Sequence, residues 1–403
     1  MGEIPQPTMK RQRQLYLIIG ILSFHFSFSQ NSLEGSVLDA MTRRPVAFAY
    51  VTIKNKSLGT ATNAEGYFKF QNGHPAPEDT LLITHINYLS IGINVLDYLK
   101  GNDNTILLHE NPISLQEVEI KAQEDDHLLD EIINQSKRLL GLPVTAHLYY
   151  RELVKENKSY NKFADALLNV SFEKEDINIK VNQCRVIQLP KEEDDAFELI
   201  SPVKMDLVLG YEYINFLNRF RKEQKKDYHF YAQEGGMLND YYLLRIEPKK
   251  EASREKDKLL YYATIKADRD KNITEVELTL DSLCHYEKSI LGLALQIEKA
   301  HTKLNFKRAG DLYYLSYVRL DYGMKFTTKK INQKENFISE FLVIDAMPGA
   351  QLIEKKDRYK KSSLYKHGTQ YDRPFWKEVN LPVLTKDEEL LLSQLENAQK
   401  EKK

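Results

Sequence analysis

Apolar and polar positions alternate with a period of two over much of the chain, and that period predicts strands. In the first clear run, Ala47, Ala49, Val51 and Ile53 alternate with Phe48, Tyr50 and Thr52. Pro45 precedes it, where a strand may begin. Phe68 and Phe70 alternate after Gly66. Leu82, Thr84 and Ile86, then Ile91, Ile93 and Val95, then Thr105–Leu108 add short apolar segments. Asp39, Asn55, Asn63–Gly66, Asn72-Gly73 and Gly101-Asn102 separate them. Short strands at this spacing predict a small β-sandwich over 30–121. In its central turn, Asn63 can bond its own backbone and Gly66 can take a positive φ.

The period then changes. Leu128, Leu129, Ile132, Ile133, Ser136, Leu139 and Leu140 recur at helical spacing after the acidic linker Glu124–Asp126, and Gly141 with Pro143 stops them. From His147 onward the chain reads as long strands: Tyr149–Glu156, Tyr160–Phe172, Ile177–Gln188, Tyr228–Gln233, Tyr241–Glu247, Leu259–Ala267, Thr274–Leu280, Leu293–Phe306, Tyr313–Leu320 and Phe337–Asp345. A second helix is expected within Met205–Phe220. The fold class that follows is mainly β: a sandwich, then over 127–362 an α+β antiparallel curled sheet, or half-barrel, with one or two helices. The tail, 363–403, ends in a Leu-rich helix, opened by Thr385 and Glu388 at capping-box spacing. Phe375 and Trp376 are expected to pin the tail to the body, and Asn397–Lys403 to fray.

The first stretch resembles the carboxypeptidase regulatory-like domain, a prealbumin-like sandwich. The resemblance rests on Gly35-x-Val37-x-Asp39, on Pro45-x-x-x-Ala49-x-Val51-x-Ile53 and on Gly59-Thr-x-Thr62-Asn63-x-x-Gly66-x-Phe68. Asp79–Tyr88 matches too. Asn63 stands where that family usually has Asp, and Asn87 where it often has Gly. The resemblance implies a non-catalytic accessory module in cell-envelope proteins of Bacteroidetes type. The opening helix with Tyr149–Glu152 resembles the second domain of many carboxypeptidase regulatory-like envelope proteins, and Asp240–Pro248 with its hairpin is similar to the curled sheets of LolA-like lipoprotein carriers.

The N-terminal pattern adds a location. Lys10, Arg11 and Arg13 precede the apolar run Leu15–Ser29, with small residues at Ser27 and Ser29. That order describes a secretory signal peptide over 1–29, cleaved after Ser29. The run is shorter than the roughly 20 residues of a membrane span, and an uncleaved anchor is the alternative. The absence of a nearby Cys argues against a lipid anchor. Met9 is a candidate start. Export to the periplasm or the outer membrane is therefore expected, with no transmembrane span in the mature chain.

Composition then narrows the chemistry. Fifty-seven basic residues against 58 acidic ones leave no bulk charge for nucleic acid or anionic lipid. Cys184 and Cys284 are the only cysteines, too few for a metal cluster; they form one disulfide or remain two buried thiols. No His begins an H-x-x-E zinc pair, and His127-Leu-Leu-Asp130 lacks a third ligand. Asp268-x-Asp270-x-Asn272 begins like a calcium loop. Ile273 and Thr279 stand where that loop needs Gly and Glu, so a charged hairpin tip is the expectation. Glu192–Asp195 reads as a solvated loop and Arg219–Lys226 as the exposed end of a helix. Asp79-Thr-Leu81 and Asp281-Ser-Leu283 resemble the short O-glycosylation pattern of Bacteroidetes-type secreted proteins.

No catalytic, cofactor or metal residues are assigned. The expected function is non-enzymatic: an interaction module plus a half-barrel whose concave face binds an apolar ligand or a segment of another envelope protein. The alternatives are a purely structural surface protein and a hydrolase assembled from scattered residues. His229, His285, Glu287 and His301 are the candidates for the latter, and at least three of them would have to share one cleft.

Overall fold

The computed structural model describes residues 33–56, 58–70, 75–101, 103–111, 125–156, 159–173, 176–189, 212–220, 225–235, 240–255, 258–290, 292–329, 332–361, 363–370 and 381–401. The stretch read as a signal peptide, the acidic run Glu192–Asp195 expected to be a solvated loop, and Phe375 and Trp376 lie outside them.

Two small sheets come first. β1 (Glu34–Asp39) lies between β4 (Tyr67–Lys69) and β7 (Thr105–Leu108). β2 (Tyr50–Ile53) lies between β3 (Gly59–Ala61) and β5 (Thr80–Thr84), and β5 pairs with β6 (Ile91–Asn94). Their shared core holds Val37, Val51, Phe68, Leu81, Ile83 and Ile106, the positions that the two-residue period turns inward. The strand expected from Ala47 begins only at Tyr50, because Phe48 has a φ of 58° and breaks the extended run. Val95 opens a short helix, α1 (Val95–Lys100), where the side chain of Asn94 caps Asp97 N.

The central turn of the sandwich forms as its residues predict. Asn63 Oδ1 accepts from Glu65 N and Tyr67 N, both at 3.0 Å, and Gly66 has a φ of 76°. A Cβ on Gly66 would sit 2.6 Å from the Val37 carbonyl oxygen, so the site excludes larger residues. Asn63 Nδ2 also donates to the Leu384 carbonyl, 3.3 Å away in the tail. An Asp has no such donor, which gives a physical reason for Asn at this position.

The large sheet has eleven antiparallel strands. They are β8 (Val144–Glu156), β9 (Ser159–Glu173), β10 (Asp176–Gln188), β11 (Tyr228–Gly235), β12 (Tyr241–Pro248), β13 (Tyr261–Asp268), β14 (Ile273–Leu280), β15 (Tyr286–Ile290), β16 (Leu293–Ala309), β17 (Leu312–Thr327) and β18 (Asn332–Pro348). Their order is β10-β9-β8-β18-β17-β16-β14-β13-β12-β11, with β15 beside β16. α2 (Asp125–Leu140) lies against one face, called inner here, and touches β11, β14 and β17. Those strands are spread across the sheet, so the sheet curls around the helix. Leu129, Ile132 and Ile133 of α2, with Ile214, Leu217 and Phe220 of α3 (212–220), fill that face. Between β13 and β14 the Asp268 carboxylate accepts from Asn272 N at 2.8 Å and from Asn272 Nδ2, and Asp270 pairs with Arg308 at 3.0 Å. That is a charged hairpin tip.

The outer face carries charge. Register aligns one residue from each strand of the main path in a single row: Arg185, Asp165, Arg151, Glu340, Arg319, Lys303, Glu277, Thr264, Arg245 and Tyr231. Glu340 is its hub. Arg151 Nε donates to Glu340 Oε2 at 2.8 Å and Arg151 Nη2 reaches the same oxygen, while Arg319 Nη1 and Tyr317 OH donate to Oε1 at 2.6 and 2.8 Å. Burial alone would push the Glu340 carboxyl up. The charges of Arg151 and Arg319, with the bonds from Tyr317 and Arg319, outweigh it and hold the group down at about 2.

Two elements cover this row. The sandwich lays Tyr50 against the Tyr317 ring, with centroids 6.3 Å apart, and Phe48 over the Arg319 guanidinium at 3.9 Å. The tail helix α4 (Lys386–Glu401) packs Leu391, Leu392 and Leu395 on Leu153, Phe163 and Ile187. Its capping box forms, with Glu388 N to Thr385 Oγ1 at 3.1 Å and Thr385 N to Glu388 Oε2 at 2.8 Å. The helix continues through Asn397 to Glu401, where fraying was expected. Leu33–Lys403 forms one compact unit. Cys184 and Cys284 are separate buried thiols, so the disulfide alternative does not form.

Glu340→Ala should cost about 3–5 kcal/mol in urea denaturation, because it leaves two arginines buried without their partner. The folded value of Glu340 lies below the ordinary 4.5, so its contribution is complete above about 4.5 and is lost as the pH falls toward 2. Acid unfolding of Glu340→Gln should lack that component; an unchanged acid profile would remove Glu340 as its source. Asn63→Asp should destabilise by about 1 kcal/mol and make α4 more open to protease, since the donor to Leu384 is gone. Equal proteolysis of both forms would show that this bond does not hold the tail.

Candidate functional site

Open space lies along the seam between the sandwich and the outer face of the large sheet. The larger cleft, about 850 Å³, is walled by Tyr50, Thr52 and Ser90 on one side and by Lys266, Glu275 and Lys307 on the other. Lys266 crosses the seam to Ser90 Oγ at 3.1 Å, lies 4.8 Å from the Tyr241 ring centroid and faces Glu275 at 3.7 Å. Lys307 Nζ reaches the Leu58 carbonyl at 3.5 Å. Burial pulls the Lys307 amine down to about 8.

The second cleft, about 570 Å³, is lined by Phe48, His85, Tyr88 and Glu110 from the sandwich and by Arg245, Glu277, His301 and Lys303 from the sheet. His301 Nε2 and Glu277 Oε1 are 2.7 Å apart. Burial would raise the Glu277 carboxyl, but the hydrogen bond from His301 and then the charge of Lys303 hold it at about 2. Glu277 is therefore a carboxylate and His301 Nε2 the donor. His85 is held well below the ordinary histidine value, first by burial and then by the charge of Lys303. Asn87 N donates to its Nδ1 at 3.2 Å, so the neutral ring carries its proton on Nε2. Lys303 is 2% exposed, and its Nζ makes no hydrogen bond among the described residues.

The sheet's inner face is different. On this concave side, where an apolar pocket is expected, the described residues place side chains of α2, α3 and the strands. An apolar gap lined by Leu140, Val144, Phe172, Tyr313 and Val343 holds about 30 Å³, enough for roughly one water.

Of the four hydrolase candidates, His301 alone lines the second cleft. His229 is exposed on β11, and His285 and Glu287 are exposed at and near the start of β15. Sequence reading missed Glu277, Lys303, His85 and Arg245. A signal for the first two exists: Glu275 and Glu277 alternate with Val276 and Leu278, and Lys303 and Asn305 flank Leu304, every second position on their strands. The described residues contain no group of His, Cys, Asp and Glu that could hold a metal, and no helix among them is long and apolar enough to cross a membrane.

Comparison with known proteins bears on the sandwich. Residues 33–120 match the model of the CarboxypepD_reg-like domain, so the resemblance read from the motifs holds for this stretch. No curated protein matches the chain. Among solved structures, lipovitellin, described for its lipid–protein interactions, aligns at 8% identity and TM-score 0.23 over 52% of this chain and 26% of its own. A LolA superfamily protein from Nitrosomonas europaea aligns at 9% identity and TM-score 0.21, over 58% of this chain and 97% of its own. A DUF1329 family protein from Desulfovibrio piger aligns at 8% and 0.22, over 57% and 95%. Likeness of this size carries no weight for ligand or activity.

Lys307 provides a test of the larger cleft. Its folded value, about 8, lies below the ordinary 10.5. Between those values the unfolded chain binds the extra proton, so stability due to Lys307 rises with pH across that window. Below about 8 the amine is charged in both states and its burial costs stability. Lys307→Met should therefore unfold at higher urea than the parent at pH 7, and that advantage should shrink from pH 8 to 10. A constant difference across that range would show that Lys307 is not desolvated.

Proposed function

We propose that the chain is an exported, non-enzymatic protein of the cell envelope that binds a partner or ligand group in the seam between its sandwich and the outer face of its large sheet. The observation that carries this reading is where the open space lies. The inner face is packed with the protein's own side chains, whereas clefts of about 850 and 570 Å³ flank the sandwich, within the usual size range of binding sites, about 300–1,000 Å³.

Export is supported by the basic, apolar and small-residue order of 10–29. The sandwich, as a CarboxypepD_reg-like domain, supports an accessory binding role in the envelope. Among the described residues, α2 and α3 occupy the inner face that an apolar carrier would use, which favours the seam.

The test is purification from the native envelope, followed by solvent extraction and identification of co-purifying proteins. The expected result is an envelope protein bound in stoichiometric amount, with no stoichiometric lipid. One lipid per chain would overturn the seam as the binding site and restore the carrier reading. Retention of the chain in the cytosol would overturn the location.

A further inference from the structure

The outer row of charges alternates in sign from one end to a single fault. Arg185, Asp165, Arg151, Glu340 and Arg319 run plus, minus, plus, minus, plus. Lys303 then stands directly beside Arg319, a second cation where an anion would continue the order, before Glu277 restores it. Arg319 is committed to Glu340 at 2.6 Å. Lys303 is left with Coulomb attraction to Glu277 and Glu275, repulsion from Arg319, and, among the described residues, no hydrogen bond at its Nζ. A buried amine in that condition is costly, since it has lost water and gained no acceptor. Sheets normally place opposite charges at such cross-strand positions.

The fault opens onto a cleft. Lys303, His301, His85 and Arg245 line it together, with Phe48 at the edge of the row. We propose that this cleft binds a carboxylate group of a ligand, with Lys303 Nζ as its counter-ion and His85 and Arg245 as further donors. The inference rests on the seam being the binding site and specifies the chemistry of what enters it.

Charge count selects the carboxylate. The sheet wall of the cleft holds two cations, Lys303 and Arg245, against the carboxylate of Glu277. Glu110 also lines the cleft, but it is exposed at the rim, where solvent screens it. Lys303 and Arg245, the permanent cations of the wall, thus outnumber its carboxylate, which His301 already engages. A singly charged oxyanion cancels that excess and completes the alternation, whereas a phosphate dianion would overshoot beside Glu277. His85, neutral with its proton on Nε2, offers a donor without adding charge.

The test is calorimetric titration of the full chain with succinate, with an acidic dipeptide blocked at its N-terminus, with inorganic phosphate and with neutral succinamide, all at constant ionic strength in chloride. Saturable binding of succinate or of the dipeptide, without binding of succinamide, is expected. The stronger of the two acids tells whether a free small acid or a polypeptide carboxylate is the source. Lys303→Met should keep the fold and melt no lower than the parent, because it removes an unpartnered buried amine, while weakening carboxylate binding by about tenfold or more. Should that variant fail to fold, Arg245→Gln, at a half-buried position outside the Glu340 network, decides: weaker binding supports the site and unchanged binding overturns it. Tighter binding of phosphate than of either acid, no binding of either acid, or binding untouched by Lys303→Met in a folded chain each overturns it. A chain that binds an envelope partner but no carboxylate refutes this inference alone. A chain that binds carboxylates but recruits no partner leaves this site standing and refutes the partner reading.

Discussion

A row of buried charges across a β-sheet must be sealed from water and balanced within itself, and the rest of this molecule is arranged around that requirement. Glu340 is its centre. A single carboxylate there accepts from two arginines and a tyrosine. Neither burial nor Coulomb attraction alone describes the group: desolvation raises it, and paired cations with four directed bonds bring it down to about 2. The attraction wins because every lone pair that matters has a donor, the condition under which buried ion pairs hold. Remove one member and the desolvation remains without its compensation.

This requirement explains why the sandwich and the tail are not loose appendages. Tyr50 closes over Tyr317, Phe48 lies on Arg319, and α4 brings Leu391, Leu392 and Leu395 over the strands at the other end of the row. Glu388 and Glu396 of α4 approach Arg151 and Arg185 at 3.9 and 3.5 Å. Asn63 then ties the two covers together through Leu384. Phe48 holds a backbone conformation uncommon for an aromatic residue, and its ring sits where the row would otherwise meet the cleft. Clefts remain where the sandwich meets the sheet without filling the space between them, beside Lys303, His301 and Glu277, and again beside Lys266 and Lys307. Binding capacity and incomplete cover are in this sense the same feature.

The sandwich was largely legible from its sequence because its determinants are local. Turn residues such as Asn63 and Gly66 act within a few positions, and the period through Val51 and Ile53 states which side is inside, although on β5 Leu81 and Ile83 face the core rather than Leu82 and Thr84. The strands of the large sheet were legible for the same reason, although β17 and β18 run further than their apolar cores suggested, since a strand with polar residues on one face continues as long as its partner does. The capping box of α4 was readable at three-residue spacing. The candidate site was not. His301 stood out as a histidine on a strand, but Lys303 and Glu277 looked like ordinary solvent-facing residues of a one-sided sheet. His85 gave no sign of facing them.

The pattern of apolar and polar positions determined that the chain is mainly β, that a small sandwich precedes a larger curled sheet, and where α2 and the tail helix fall, because periodicity and turn chemistry are properties of neighbouring residues. Only the tertiary structure decided which face of the large sheet is open. Strand order is a long-range outcome: Arg151 meets Glu340 across 189 positions of sequence, and the row of charges exists only once β18 pairs with β8. Whether an alternating polar residue meets water or a second domain depends on what packs over it, and in this protein the sandwich and the tail make that choice.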